Sequence, residues 1–99
     1  MQLKFQRLFF KYPQKAGPVR ENIAIYLRRQ KSVIIDCYSV ATIPNDYAAE
    51  LYAKLLDEFS YDTIVRLVTF ENYTWSVWTT FQAVLVKKQA ELKTKKKHK

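Results

Sequence analysis

The sequence predicts a single small α/β domain with the element order β-α-β-α-β-α, and three observations support that class. Val33, Ile34 and Ile35 form an apolar β-branched run without polar alternation, which is typical of a strand buried on both faces in the middle of a parallel sheet. Further along, apolar residues recur at helical spacings of three and four. Short connections between the successive strand and helix patterns favour right-handed crossovers and a mostly parallel sheet.

The first third of the chain predicts an N-terminal edge strand followed by a helix. Residues 3–10 alternate between apolar and polar residues and then end in an apolar run, which predicts an edge strand with one face exposed to water. A loop is expected at residues 11–16. Gly17 and Pro18 predict a helix start, because proline at the first helical position gives up an amide that has no partner there. This helix is expected to end near Lys31, with an inward stripe of Val19, Ile23, Tyr26, Leu27 and Gln30.

The middle of the chain predicts the central strand, a polar loop, a second helix and a third strand. The strand covers residues 32–36, the loop 42–47 and the helix about 46–58. A turn is expected at residues 60–62 and a strand at 63–70, where Arg66 alone interrupts the apolar run. The inward stripe of the second helix comprises Ala48, Leu51, Tyr52, Leu55, Leu56 and Phe59.

The segment from residue 72 to about 95 fits two patterns. Tyr73 to Leu85 alternates strictly enough for a strand, whereas Val77, Phe81, Leu85 and Leu92 fit helical spacing. We predict a helix, because the apolar pattern continues beyond the length of a typical strand and ends in good helix formers. On this helix Trp75 and Val86 lie away from the inward stripe, so we expect a partly exposed patch there.

Composition indicates one folded domain with a basic tail. The 99 residues are 48% hydrophobic and carry a net charge of +8, which suits a compact core rather than a disordered segment. Seven lysines oppose Glu91 from Lys87 onward, so +6 of that charge lies at the C-terminus. We divide the chain into a domain at residues 1–90 and a lysine-rich tail at 91–99, which is either a solvated terminus or a phosphate-binding arm.

The residue inventory favours binding over catalysis, so we expect neither an enzyme nor a cofactor or metal site. His98 lies in the tail, the lone glycine excludes a glycine-rich phosphate loop, and Asp57, Glu58 and Asp62 fit a solvated helix end. The lone Cys37 is expected to be an inert core thiol and suits the cytoplasm. We expect neither a signal peptide, since Lys4 and Arg7 interrupt the N-terminal apolar residues, nor a membrane span, since no run approaches ~18 apolar residues.

The runs VIIDCYSVATIPNDYAAELYAKL and TIVRLVTFEN carry a family resemblance. An apolar strand ending in Asp36, Val40 and Ile43 in the stretch after it, and Asn72 after a later strand resemble the STAS-like family of small bacterial domains. The helix start at residues 47–51 also matches, and the likeness covers residues 17–88. These domains are relatives of the anti-sigma factor antagonists, so the resemblance implies a STAS-like α/β fold with helices packed on the sheet.

The resemblance also implies a regulatory function through protein binding. The partner implied is a protein, such as a histidine-kinase-like ATPase or a regulator, and a homodimer is compatible with it. The serine that is phosphorylated in the antagonists falls here on Asp46, so a phospho-switch is not expected, although Thr42 and Ser39 are substitute acceptors. Asp46 also fits a helix N-cap. The predicted partner-binding residues are Pro44, Asn45, Asp46, Tyr47 and Glu50.

Two other functions stay open at this point. The chain is alternatively a nucleic-acid-associated protein, with Arg28, Arg29 and Lys31 assisting the tail. It is also compatible with a small inhibitor of a host complex encoded by a phage or mobile element. The lysines of the nucleic-acid alternative are Lys87, Lys88, Lys93, Lys95, Lys96, Lys97 and Lys99.

Overall fold

The fold is a three-stranded parallel sheet carrying helices, seen in a computed structural model that describes residues 5–9 and 15–97, with side chains at 8 and 15–94. Strand β2 lies between β1 and β3 and pairs in parallel with both. The parallel sheet and the N-terminal edge strand are therefore confirmed, with bounds of Phe5–Phe9 for β1, Ser32–Asp36 for β2 and Val68–Glu71 for β3.

The sheet register places Leu8, Val33, Ile35, Val68 and Phe70 on the same face of the sheet. Ile35 lies between Leu8 of β1 and Phe70 of β3, and Val33 pairs with Val68. These β2 and β3 side chains are buried. On the other face Thr69 is exposed and Ile34 is half-buried, so the expectation that β2 is buried on both faces is wrong. The cause is the layering, because the buried face of the strands is the one against which the helices pack.

The helices differ from the predicted order of elements in number and bounds. Two short helical segments follow β2 where one helix was expected, and a third precedes β3, so the order is not the predicted β-α-β-α-β-α. The helices are α1 (Ala16–Arg28), α2 (Asn45–Leu51), a 3₁₀ helix (Ala53–Asp57), α3 (Tyr61–Leu67) and α4 (Trp75–Lys97).

The largest error in the predicted secondary structure concerns the first half of the strand expected at residues 63–70. Those residues belong to α3, and the strand begins at Val68. Ser60 caps this helix, since its hydroxyl oxygen accepts from the Thr63 amide at 3.1 Å. Ile64 and Leu67 then face the core one turn apart. A cap and one turn of burial outweigh the strand preference of this β-branched run.

The helix predicted over residues 72–95 is confirmed, because α4 covers Trp75–Lys97. Thr74 caps it by accepting the Val77 amide at 3.1 Å. Val77, Phe81 and Leu85 are fully buried, which resolves the ambiguity of the alternating pattern. The helix continues into the segment predicted as a tail and ends at Lys97. His98 and Lys99 lie outside the described residues.

An aromatic cluster joins α4 to the rest of the core. The Phe70 ring of β3 stacks on Phe81 of α4 with 4.8 Å between centroids. Tyr52 meets both rings edge-on, at 5.2 Å from Phe70 and 5.6 Å from Phe81. Tyr52 lies between α2 and the 3₁₀ helix, so it interrupts what was predicted as one helix. Edge-to-face and stacked pairs of this kind fix the relative orientation of the elements that carry them.

The start and end of α1 also differ from the expectation by one to three residues. The helix begins at Ala16, so Pro18 is its third residue rather than its first. It ends in a Schellman turn, in which the Gln30 amide donates to Leu27 at 2.9 Å and the Lys31 amide to Tyr26 at 3.0 Å. Gln30 adopts a left-handed φ of 60° and is exposed, so its predicted place in the inward stripe is wrong.

We expect Gln30→Gly to stabilise the fold, because glycine adopts the left-handed conformation without the clash that Gln30 incurs. The free energy of unfolding should rise by about 0.5–1 kcal/mol, measured by urea denaturation. Arg29→Gly is the matched control: Arg29 has a φ of −95°, so glycine there should give no gain. Equal destabilisation by both substitutions would contradict this account of the turn.

Candidate docking site

The predicted partner-binding residues lie at the surface where the loop after β2 enters α2. Pro44, Asn45 and Asp46 are exposed, and Tyr47 and Glu50 are half-buried. All five therefore belong to one continuous stretch of surface around the first turn of α2. We call this stretch, residues 44–50, the docking bend.

The loop that leads into the docking bend is anchored at both ends of its path. Val40 and Ile43 are buried in the core. The Thr74 hydroxyl donates to the Ala41 carbonyl at 2.7 Å, and the Thr42 and Ser76 hydroxyls lie 3.2 Å apart. These two contacts fix the loop to the N-terminus of α4. The docking bend is thus held by side chains that come from more than thirty residues further along the chain.

A buried carboxylate holds the two strand ends beneath this loop. Oδ1 of Asp36 accepts from the Tyr38 amide and from Nδ2 of Asn72, both at 3.1 Å. Asp36 is only 5% exposed. Asn72 has a left-handed φ of 54°, which asparagine tolerates better than most residues. The asparagine noted in the sequence therefore closes the carboxyl end of β3 against that of β2.

Asp46 does not cap α2, so the N-cap interpretation is wrong. The cap position is Pro44, no side chain makes a capping hydrogen bond, and the first amide bonded is that of Ala48, which donates to the Pro44 carbonyl at 3.1 Å. Asp46 is the second residue of the helix. Its carboxylate still lies at the positive end of the helix dipole, which stabilises a negative charge there. The side chain is nevertheless exposed and available for contact.

Glu50 is tied to α1 by Arg20, a residue that the sequence patterns did not single out for this site. Nη1 of Arg20 donates to Oε2 of Glu50 at 2.8 Å and also to the Glu50 carbonyl oxygen. Lys54 approaches the other carboxylate oxygen at 3.3 Å. The Arg20 hydrogen bond and, more weakly, Lys54 lower the pKa of Glu50. The ion pair therefore stabilises the fold at neutral pH, and this contribution is lost as the pH falls through the lowered pKa.

The docking bend forms one wall of an open groove against α4. The groove has a volume of about 550 Å³. Its apolar part consists of small residues, and its rim carries both acidic and basic groups. Sequence reasoning missed the α4 wall, because a groove between elements thirty residues apart leaves no local pattern. The lining residues are Asn45, Asp46, Ala49, Glu50, Ala53, Lys54, Ala83, Val84, Lys87, Lys88 and Glu91.

The groove brings together residues from two separate predictions. Asn45, Asp46 and Glu50 come from the predicted protein-binding set, and Lys87 and Lys88 come from the nucleic-acid alternative. Lys88 pairs with Asp57 at 3.3 Å. Lys87 is exposed and makes no ion pair with the side chains that the structure describes. The surface next to Asp46 therefore carries charges of both signs.

Of the other predicted basic residues, Arg28 is engaged within the fold. It pairs with Glu58 through a two-pronged contact, at 2.5 and 2.9 Å, and with Glu21 at 3.0 Å. These hydrogen bonds raise the pKa of Arg28 and lower that of Glu58. Arg28 thus links α1 to the end of the 3₁₀ helix. Arg29 and Lys31 are exposed, whereas the side chains of Lys95, Lys96, Lys97 and Lys99 lie outside the described set.

Cys37 is a buried free thiol at the end of β2. Burial, and secondarily the neighbouring Asp36 carboxylate, raise the pKa of the thiol to about 12. The thiol is therefore protonated at neutral pH and is a poor nucleophile. Within the described residues no group of three or more acidic, histidine or cysteine side chains is arranged to hold a metal ion. The helices described there also include none that is long and apolar enough to cross a bilayer.

Comparisons with protein-family models, curated proteins and solved structures found no match to this chain. The resemblance to STAS-like domains therefore stays a prediction from the motifs alone.

We expect Asn72→Ala to be more destabilising than Asn72→Gly. Both substitutions remove the hydrogen bond to Asp36, which costs about 1 kcal/mol, and alanine adds roughly 1 kcal/mol of left-handed strain that glycine avoids. Guanidinium denaturation of the two variants and the parent separates the two effects. Equal losses for the two variants would show that the φ of 54° carries no strain.

Proposed function

We propose that this chain is a non-catalytic regulatory domain of the STAS-like kind, which acts by binding a protein partner at the docking bend. The observation that carries the proposal is the geometry of residues 44–50, in which Pro44, Asn45 and Asp46 are exposed while the loop before them is held by buried and hydrogen-bonded residues. A surface that is ordered before binding loses little conformational entropy when a partner docks. A cytoplasmic location, expected from the lone cysteine, belongs to the same proposal.

The groove indicates how such a partner is held. Its small floor residues, Ala49, Ala53 and Ala83, leave room for side chains of a partner segment to enter between α2 and α4. Asp46 and Lys87 then offer charges of opposite sign on the two walls. Charge pairs at the rim of an interface set orientation and association rate more than affinity. The partner proposed is a histidine-kinase-like ATPase or a related regulator, following the family resemblance.

Asp46 gives this site a fixed charge state. In the phospho-switched relatives a serine gains roughly −1.5 to −2 charges when it is modified, whereas an aspartate carries about −1 at all times near neutral pH. A partner adapted to this chain therefore meets a constant negative charge beside the start of α2. Regulation then depends on the amount of either protein rather than on a kinase acting at this position.

Affinity capture from the native cell, followed by titration of the purified partner, tests the site. We expect Asp46→Ala and Asp46→Ser each to weaken binding about fivefold, since each removes a rim charge worth ~1 kcal/mol. Asp62→Ala is the matched control, because Asp62 is also an exposed carboxylate in the first turn of a short helix. If both Asp46 variants bind as tightly as the parent, the docking bend is not the interface.

A second candidate function, association with nucleic acid, is favoured by the continuation of α4 to Lys97. Six of the seven lysines from Lys87 onward lie within this helix, rather than on a frayed terminus. Such a surface engages phosphates without reading sequence, and its affinity falls steeply with salt.

Fluorescence anisotropy with a labelled DNA duplex at several salt concentrations tests this second candidate. Six engaged lysines predict a log–log salt slope near roughly −5. Removing residues 95–99 takes away four lysines and should make the slope shallower by about 3 to 4. A slope that does not change on truncation would contradict a role for the tail, and Asp46→Ala should leave it unaltered.

A further inference from the structure

The flank of α4 that faces away from the groove carries an uncharged stripe that includes two tryptophans. Trp75 is 73% exposed and Val86 is 55% exposed. The ring of Trp75 stacks on that of Trp78, with centroids 5.4 Å apart and an interplanar angle of 19°. Tyr73 lies beside them, 6.4 Å from Trp78. We define the outer flank as Trp75, Trp78, Gln82, Val86 and Gln89, which follow one another at spacings of three or four.

The outer flank and the docking groove lie on opposite sides of the same helix. Helical rotation of 100° per residue places Ala83 and Lys87 on one side of the buried row and Trp78 and Val86 on the other. The buried row itself consists of Val77, Phe81 and Leu85. The proposed function leaves the outer flank without a role. An exposed tryptophan stacked on a second one marks an interaction surface.

We propose that the outer flank binds the outer flank of a second copy of this chain, with the two α4 helices antiparallel about a two-fold axis at Gln82. The stripe is self-complementary in this arrangement. Trp78 of each copy lies against Val86 of the other, and Trp75 lies against Gln89. An isologous contact requires a surface that matches itself in this way. The outer flank, from Trp75 to Gln89, spans roughly 21 Å of helix, which is about four turns.

The charges of the chain select the antiparallel direction. The sequence contains no lysine or arginine between Arg66 and Lys87, and then seven lysines from Lys87 onward. Parallel helices would place the two lysine-rich ends side by side. Antiparallel helices separate them and bring Lys93 of one copy opposite Glu71 and beside Tyr73 of the second copy. A cation over an aromatic face is favourable, and the two helix dipoles also oppose each other.

A single-stranded nucleic acid fits the outer flank less well. Stacking platforms for bases lie in grooves lined with cations that follow the phosphate backbone. The stripe from Trp75 to Gln89 contains no charged residue. Charge depletion together with aromatic enrichment is instead the composition found at the centre of protein interfaces.

The size of the contact predicts a weak, concentration-dependent dimer. Trp75 and Val86 are exposed but Trp78, Gln82 and Gln89 are half-buried, so the contact buries less area than a standard specific interface. Sedimentation velocity of the full chain from low micromolar to submillimolar concentration should therefore show a shift from monomer towards dimer. A chain that stays monomeric throughout this range overturns the proposal.

Val86→Glu should weaken the dimer at least tenfold, because it places a charge opposite Trp78 of the second copy. Ile25→Glu is the matched control, since Ile25 is an exposed aliphatic residue on α1, at 40% exposure. Circular dichroism checks that both variants keep the fold. A dimer that survives Val86→Glu, or is lost equally in Ile25→Glu, shows that the contact lies elsewhere and overturns the proposal.

Cysteine cross-linking tests the two-fold axis. In the antiparallel arrangement residue 82 faces residue 82 of the second copy. Gln82→Cys, which also gives up the hydrogen bond with the Tyr52 phenol, should therefore form a disulfide-linked dimer on mild oxidation, and circular dichroism checks that the variant keeps the fold. Thr79→Cys lies three residues from the axis and should cross-link much more slowly. The buried Cys37 stays in place in both variants and does not compete. Equal or reversed cross-linking rates would exclude this arrangement. Because the outer flank is remote from Asp46, failure here leaves the proposed partner site untouched.

Discussion

The arrangement of the whole chain depends on the contact among Tyr52, Phe70 and Phe81. Phe70 belongs to the sheet, Tyr52 to the break between α2 and the 3₁₀ helix, and Phe81 to the middle of α4. Burial raises the pKa of the Tyr52 phenol, as does the nearby Tyr61, while a hydrogen bond with Gln82 opposes the rise. The phenol therefore stays neutral, and the three rings pack together where the sheet, the α2–3₁₀ segment and α4 meet.

The same contact determines where the candidate docking site can lie. Tyr52 is buried between α2 and the 3₁₀ helix. The neighbouring residues Ala49, Ala53 and Lys54 of these two segments therefore lie at the surface of the groove, across from α4. The α4 start is then close enough for Thr74 and Ser76 to bond the loop before α2. Arg20 of α1 adds a further link, because it forms an ion pair with Glu50 of the docking bend. The groove is thus a consequence of core packing and local hydrogen bonds together, rather than a feature of one segment.

Local patterns in the sequence were enough to predict the elements whose burial follows one period. The run Val33 to Ile35 gave the central strand, and the stripe through Leu51 and Leu55 gave the helical layer. Patterns failed where a short-range hydrogen bond decides the structure, as with the Ser60 cap that turns residues 61–67 into a helix. They also failed for the groove, because its α4 wall and the Arg20 anchor depend on contacts between residues thirty or more apart. A contact between such distant residues leaves no periodic pattern in a single sequence.

Helix α4 has one buried face and two proposed binding faces, and the buried face constrains the other two. Val77, Phe81 and Leu85 fix the helix against rotation, so the groove side and the outer flank keep their separation around its axis. A ligand on one side can affect the other only by displacing α4 as a rigid body, and that displacement disrupts the stacking of Phe70 on Phe81. Interiors packed at this density resist small continuous shifts. We therefore expect the proposed partner binding in the groove and the proposed self-association along the outer flank to be energetically independent, so that both can occur in one assembly.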